Sequence, residues 1–185
     1  ALWALAETGV NTDEGIYRFL VRELARSLGV RYAMLARIYP DDLETAHTIA
    51  VWGDDSFLDN FSYSLRGTPC NDVASQGECF FGDNIQDIYP HDHLLIEMGA
   101  ESYWGTPLRT SDDTVIGIAA ILDDKPMKEE LSTLKLLTSF AKRASTELEY
   151  EYTSNALREN EERYRAMFEK NRTMKLLIDP ADGSI

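Results

Sequence analysis

The stretch Ser102-Tyr103-Trp104-Gly105-Thr106-Pro107-Leu108, then Ser111-Asp112-Asp113, then Val115-Ile116-Gly117-Ile118-Ala119-Ala120-Ile121-Leu122 decides the fold. No position of the last run carries a polar side chain, so a strand there must be covered on both faces. The polar Ser-Asp-Asp segment joins two strand-like runs and reads as a hairpin turn. Tyr103 and Trp104 are adjacent in the first run and therefore point to opposite faces of a sheet. One is expected to face a cavity and the other to pack under a helix.

A second hairpin lies upstream. Residues Val30 to Tyr39 are apolar on both faces, Pro40-Asp41-Asp42 is turn chemistry, and Thr45 to Trp52 forms the returning strand. Phe61, Tyr63 and Leu65 alternate with polar residues and predict a third strand with one solvated face, which Gly67-Thr68-Pro69 breaks. Ahead of these strands, Ile16, Phe19, Leu20, Leu24 and Leu28 recur at helical spacing over residues 13–28. Thr12 or Asp13 is the expected cap, Glu14 sits in the first turn, and Gly29 follows as the C′ residue. Short helices are predicted over Asn71 to Gln76 and over Ile85 to Met98. Tight hairpins at both ends of the sheet imply mostly antiparallel pairing. The fold class is therefore α+β, an antiparallel sheet flanked by helices, with a long C-terminal helix.

Composition narrows the function. The 185 residues carry 18 basic and 32 acidic side chains, a net charge of −14. That balance argues against nucleic acid or an anionic membrane as partner, because phosphate contacts need clustered Lys and Arg. No run of about 18 apolar residues is present, which excludes a membrane-spanning helix. The opening Ala1-Leu2-Trp3-Ala4 has no basic n-region, so no signal peptide is expected. Two cysteines, Cys70 and Cys79, make no disulfide framework, and a reducing cytoplasm is the expected location.

The charge is unevenly spread. Residues 1–127 hold 8 basic and 21 acidic side chains, whereas residues 128–170 hold 8 and 9, with no Gly and no Pro. Three segments follow: a globular domain over 1–126, a long helix over 127–170 that completes it and links onward, and a tail over 171–185. The apolar stripe of the helix begins as Leu131, Leu134, Leu137, Ala141, Ala144 and Leu148 and resumes in another phase as Tyr150, Leu157, Tyr164 and Phe168. A change of phase means a change of packing partner. In steps of four and three, Leu136, Phe140, Arg143, Glu147, Tyr150, Ser154, Leu157, Glu161, Tyr164 and Phe168 fall on one seam. This predicts a parallel homodimer held by Leu136, Phe140, Tyr150, Leu157, Tyr164 and Phe168.

The ordered set Gly67-Thr68-Pro69-Cys70, Asn84-Ile85, Tyr89-Pro90, Leu94, Met98 to Tyr103, Gly105 to Leu108 and Val115 to Ile118 resembles a GAF domain over roughly residues 10–148. Asn160 to Glu169, with Leu176 to Asp179 and Asp182 to Ile185, resembles the opening of a PAS domain. The chain is expected to be a fragment of a longer protein. The resemblance implies a sensory module that binds a small ligand between its sheet and the covering helices. It further implies a bacterial signalling parent, a sensor histidine kinase or a diguanylate cyclase, whose output domain lies in the same chain.

Individual residues qualify that implication. Bilin-binding members attach the chromophore through Cys followed by His, but Asn71 follows Cys70 and Phe80 follows Cys79. The Asn-Lys-x-x-x-Phe-x-x-x-Asp-Glu signature of cyclic-nucleotide-binding members is missing. Free methionine sulfoxide reductases, a GAF-like enzyme family, share Gly67 to Cys70 and the region Glu101 to Pro107, but Ile96 stands where their nucleophilic cysteine does. A haem would require an axial ligand from His47, His91 or His93. Ligand and cofactor thus stay open. The alternative reading is a redox sensor, or a methionine sulfoxide reductase-like enzyme, using Cys70 and Cys79.

The residues read by themselves give no catalytic constellation and no metal site. Asp54-Asp55, Asp112-Asp113 and Asp123-Asp124 sit in turns, where carboxylates stay solvated. His91 and His93 flank Asp92 and lack an assured third ligand. Cys70 is either a thiolate favoured at a helix N-terminus or a small apolar filler in a cavity wall. The aromatic cluster Phe61, Tyr63, Phe80, Phe81, Tyr103 and Trp104 predicts a cavity of a few hundred Å3. Its expected lining is Tyr63, Leu65, Cys70, Val73, Phe81, Ile85, Leu94, Tyr103 and Pro107.

Overall fold

The computed structural model describes residues 13–170, with side chains from 15 to 167. Helix α1 (Asp13–Leu28) leads into β1 (Tyr32–Tyr39) and β2 (Asp42–Gly53). Thr12 and the Glu14 side chain, expected at its start, lie outside the described residues. Gly29 ends α1 at φ +66°, and the N–H of Val30 returns to the carbonyl of Ala25 at 3.1 Å, the closing bond of a Schellman turn. Two short strands follow, β3 (Ser56–Leu58) and β4 (Ser62–Ser64), then α2 (Pro69–Gln76) and β5 (Cys79–Phe81). Helices α3 (Ile85–Ile88) and α4 (His93–Met98) precede β6 (Ser102–Arg109) and β7 (Val115–Asp123), and α5 covers Leu131–Lys170. The contacts divide the chain between Leu148 and Glu149.

Seven strands form one sheet in the order β3-β2-β1-β7-β6-β5, with β4 also pairing β2 and every pairing antiparallel. The apolar run decides this order, as expected: β7 sits between β1 and β6 with both faces buried. On one face Leu35, Trp52, Trp104, Leu108 and Ile121 pack under α1 and under Leu137, Ala141, Ala144 and Leu148 of α5. On the other, Met34, Ile38, Val51, Tyr103, Ile118 and Leu122 pack under α2, α3, α4 and their loops.

Two expectations are corrected. The single helix over Ile85 to Met98 is two short ones. Pro90 disfavours helical geometry at Tyr89, which adopts φ −121° and ψ 65°, and Asp92 then caps a fresh start. Leu131, first in the predicted stripe, is 65% exposed, since α5 only begins there. Strand β3 was not signalled, because its three residues are all exposed and carry no periodicity.

Candidate functional site

Tyr103 and Trp104 occupy opposite faces, and the structure decides between them. Trp104 goes under the long helices, with its Nε1–H donating to Glu78 Oε1 at 3.1 Å and its ring 4.6 Å from that of Phe80. Tyr103 goes under the short helices. Gly105, two residues along the same face of β6, leaves it room: a Cβ there would stand 2.4 Å from Tyr103 Oη and 2.7 Å from Val73. The phenol therefore lies along its own strand and reaches Cys70.

Cys70 is brought to meet it by α2. Thr68 caps that helix, accepting from the N–H of Asn71, and its hydroxyl donates to the Leu65 carbonyl at 2.7 Å. Pro69 fills the first turn, where a missing N–H costs nothing. Cys70 Sγ then lies 3.3 Å from Tyr103 Oη and accepts from Tyr63 Oη at 3.3 Å. Burial pushes the thiol up to about 11, although both phenols favour the thiolate. Burial likewise raises Tyr63 and Tyr103 well above the ordinary phenol range. At neutral pH all three groups are protonated. Desolvation thus outweighs the helix N-terminus, and Cys70 has the character of a wall residue rather than a poised nucleophile.

These three polar groups border a void of about 20 Å3, together with Met34, Phe61, Pro69, Asp92, Leu94, Leu95, Met98 and Leu122. The predicted cavity of a few hundred Å3 is corrected. The rings of Tyr63 and Tyr103 and the thioethers of Met34 and Met98 take up the space. Of the nine expected lining residues, Tyr63, Cys70, Leu94 and Tyr103 border the void. Leu65, Val73, Phe81 and Ile85 belong to the same apolar cluster without reaching it. Pro107 alternates onto that face of β6 further along the strand.

Asp92 is the site residue that sequence reasoning missed. In the sequence it figures only as the residue flanked by His91 and His93, yet it is 8% exposed. Its Oδ1 accepts from the N–H of Leu94 at 3.1 Å, capping α4. Burial raises its carboxyl above the usual range, against the lowering effect of the Leu94 and Leu95 amides. An Asp directly before His93-Leu94-Leu95 is the signal that marks such a cap.

The remaining candidates are elsewhere. Cys79 is half-buried on β5, and both thiols are free. Two arginines that could hold an anion from positions near strand ends also stand apart from the void: Arg109 pairs with Asp113 at 3.5 Å, and Arg66 is exposed. Among the described residues, no group of three or more His, Cys, Asp or Glu is arranged to hold a metal ion. A second, wider hollow of about 500 Å3 is bordered by Arg26, Arg31, Lys125, Asp54, Asp55, Asp123 and Asp124 beside Trp52. Its charges largely engage one another: Arg31 reaches Asp54 at 2.6 Å and Asp124 at 3.2 Å, and Arg26 lies over Trp52. Along α5, Leu136 and Phe140 are half-buried against the domain's own core. Tyr150, Leu157 and Tyr164 are 59–69% exposed, and the Phe168 side chain lies outside the described residues.

The architecture is thus an antiparallel sheet with long helices on one face and short helices over a small void on the other. The chain belongs to the GAF domain family, whose profile matches residues 14–148. Its structure is similar to the GAF domain from a phosphoenolpyruvate-protein phosphotransferase of Coxiella burnetii, at TM-score 0.68 and 15% identity over 80% of this chain and 89% of that one. It is also similar to the corresponding domain from Acinetobacter, at TM-score 0.65 and 12% identity over 80% and 89%. A phycoerythrobilin-bound GAF domain from a cyanobacterial phytochrome matches at TM-score 0.61 and 13% identity over 78% and 89%. At these identities the likeness is one of fold. No curated protein matches the sequence. Among the described residues, no helix is long and apolar enough to cross a membrane.

Proposed function

We propose that this chain is the sensory part of a bacterial multidomain signalling protein, of the sensor histidine kinase or diguanylate cyclase type. In this reading a small ligand enters the space beneath α2 and α4 and changes how α5 is held. A parallel homodimer along α5 carries the change toward a PAS domain that begins in residues 171–185, and toward an output domain of the same cytoplasmic parent chain.

One observation carries the reading. Strand β6 presents Tyr103 to the void at one end, and at the other its Arg109 N–H donates to Ser145 Oγ of α5 at 3.0 Å. Sheet strands are stiff, so displacement at Tyr103 reaches the helix through a hydrogen bond. The exposed side chains Tyr150, Leu157 and Tyr164, at seven-residue steps, support the second copy as the partner of the helix. Light scattering on the purified chain tests the assembly: a dimer is expected, which Leu157→Glu converts to a monomer. A wild-type monomer at high concentration would overturn the dimer. A redox reading has less support, because burial opposes the Cys70 thiolate.

A further inference from the structure

The polar trio around Cys70 has an imbalance that says what kind of group it is built to meet. Tyr63, Tyr103 and Cys70 bring three hydrogens on oxygen or sulfur, and two contacts join them, each at 3.3 Å. Each contact uses one hydrogen. Whichever way the Cys70–Tyr103 contact is oriented, one of the three hydrogens remains to be donated outside the trio.

The opposite requirement is met on the wall of the same void. Asp92 borders the same space and is 8% exposed. A carboxylate offers about four lone-pair sites, and the amides of Leu94 and Leu95 at the start of α4 occupy only part of that capacity. The walls of the void of about 20 Å3 therefore carry both a spare donor and spare acceptor capacity, and the void is about the size of a single hydroxyl group or water.

We propose that this void anchors the hydroxyl group of a small, uncharged ligand with an apolar body, an alcohol or phenol, which accepts from the Tyr63–Cys70–Tyr103 cluster and donates to Asp92. The proposal rests on the ligand-sensing reading above and names its ligand class. Other charge types fail on the same geometry. A carboxylate or phosphate would face Asp92 with no Lys or Arg on the walls to balance it. An ammonium can donate to Asp92 but accepts nothing from the spare hydrogen. A pure hydrocarbon leaves both sides unpaired. The rest of the wall, Met34, Phe61, Leu94, Leu95, Met98 and Leu122, suits an apolar body. Room for it comes from Met34 and Met98, whose unbranched side chains repack easily, and from α4, only six residues long.

The test uses protein labelled with 13C at the methionine methyls. Met34 and Met98 report on the void, and Met127 and Met167, away from it, serve as controls. Four probes of similar shape are titrated: benzyl alcohol, ethylbenzene, benzoate and benzylammonium. Benzyl alcohol is expected to shift Met34 and Met98 saturably and to bind about tenfold more tightly than ethylbenzene, the net value of its two anchoring hydrogen bonds at the low end of their range. Benzoate and benzylammonium are expected to leave both methyls in place. Asp92→Asn keeps a capping side chain and is expected to weaken benzyl alcohol while admitting benzoate. Equal affinity for ethylbenzene and benzyl alcohol would leave a ligand site but overturn the hydroxyl anchor. Benzoate binding to the unsubstituted protein as tightly as benzyl alcohol, or no Met34 or Met98 shift with any probe, would overturn the proposal. Native mass spectrometry separates the two readings: a retained anionic or cationic small molecule would overturn the ligand class and uphold the sensing function.

Discussion

The two faces of the sheet are covered by different means. One lies under α1 and α5, helices of 16 and 40 residues, and its buried groups are almost all hydrocarbon. The other lies under helices of 8, 4 and 6 residues, and it buries a thiol, two phenols and a carboxylate. Long helices satisfy most of their backbone groups internally, whereas each short helix depends on caps at its ends. Cover made of short pieces, two of them held by the side-chain caps Thr68 and Asp92, opens locally at lower cost than cover made of long ones. The face with the polar groups is thus also the face best able to admit a ligand.

The comparison breaks first at Trp104. Its indole is fully buried on the long-helix face and is bonded to Glu78. Trp104→Ala is expected to cost about 3–5 kcal/mol, since collapse under two long helices cannot fill the space. Urea unfolding reads this as a large fall in midpoint. A loss below about 1 kcal/mol would mean that the long-helix face is as adaptable as the other.

Gly105→Ala probes the short-helix face. The new methyl meets Tyr103 Oη and Val73, so the phenol must leave its place beside Cys70. Overpacking of this kind costs about 1–3 kcal/mol, less than the Trp104 change because short helices yield. Unchanged stability together with an unshifted Tyr103 ring resonance would contradict the contact. Asp92→Ala should cost about 1 kcal/mol. Hydrogen exchange should quicken in residues 93–98 while α1 and residues 131–148 of α5 keep their protection. Equal quickening in both covers would erase the distinction between them.

The same distinction separates what sequence could and could not reveal. The sheet was legible because alternation and all-apolar runs leave a period: β7 reads as central from its unbroken apolar residues, and Phe61, Tyr63 and Leu65 read as one buried edge. The core-packed part of α5 was legible from Leu137, Ala141, Ala144 and Leu148. The short-helix cover was less so. One helix is expected over Ile85 to Met98 although Pro90 lies inside it, and the break falls at that proline. Tyr63, Cys70, Leu94 and Tyr103 were placed at the site from residue type and order. The size of the void was not, because it depends on the rotamers of Met34, Met98 and two tyrosines, which leave no trace in composition. Asp92 was passed over because a carboxylate is ordinarily solvated, and its burial follows from packing around α4.

The effect that is smallest at neutral pH, and grows only above pH 9.0, is a pH dependence of the short-helix face. Cys70 is held protonated up to about 11 in the folded chain, against 9.0 for a free thiol. A folded value above the unfolded one contributes stability that is complete below the unfolded value and lost as pH rises through the folded one. Between 9.0 and about 11 the unfolded chain sheds this proton first, so stability must fall over that window. The loss from Cys70 alone should reach just under about 1 kcal/mol near pH ~9.5. Tyr63 and Tyr103, raised in the same direction, extend the decline to higher pH. Cys70→Ala removes one of these protons and should flatten the early part of the decline, measured as urea midpoints at stepped pH. Trp104→Ala, on the other face, should lower the whole curve without changing its slope. If Cys70→Ala left the slope between 9.0 and 11 intact, the thiol would be exchanging with solvent and the short-helix cover would already be open in the free protein.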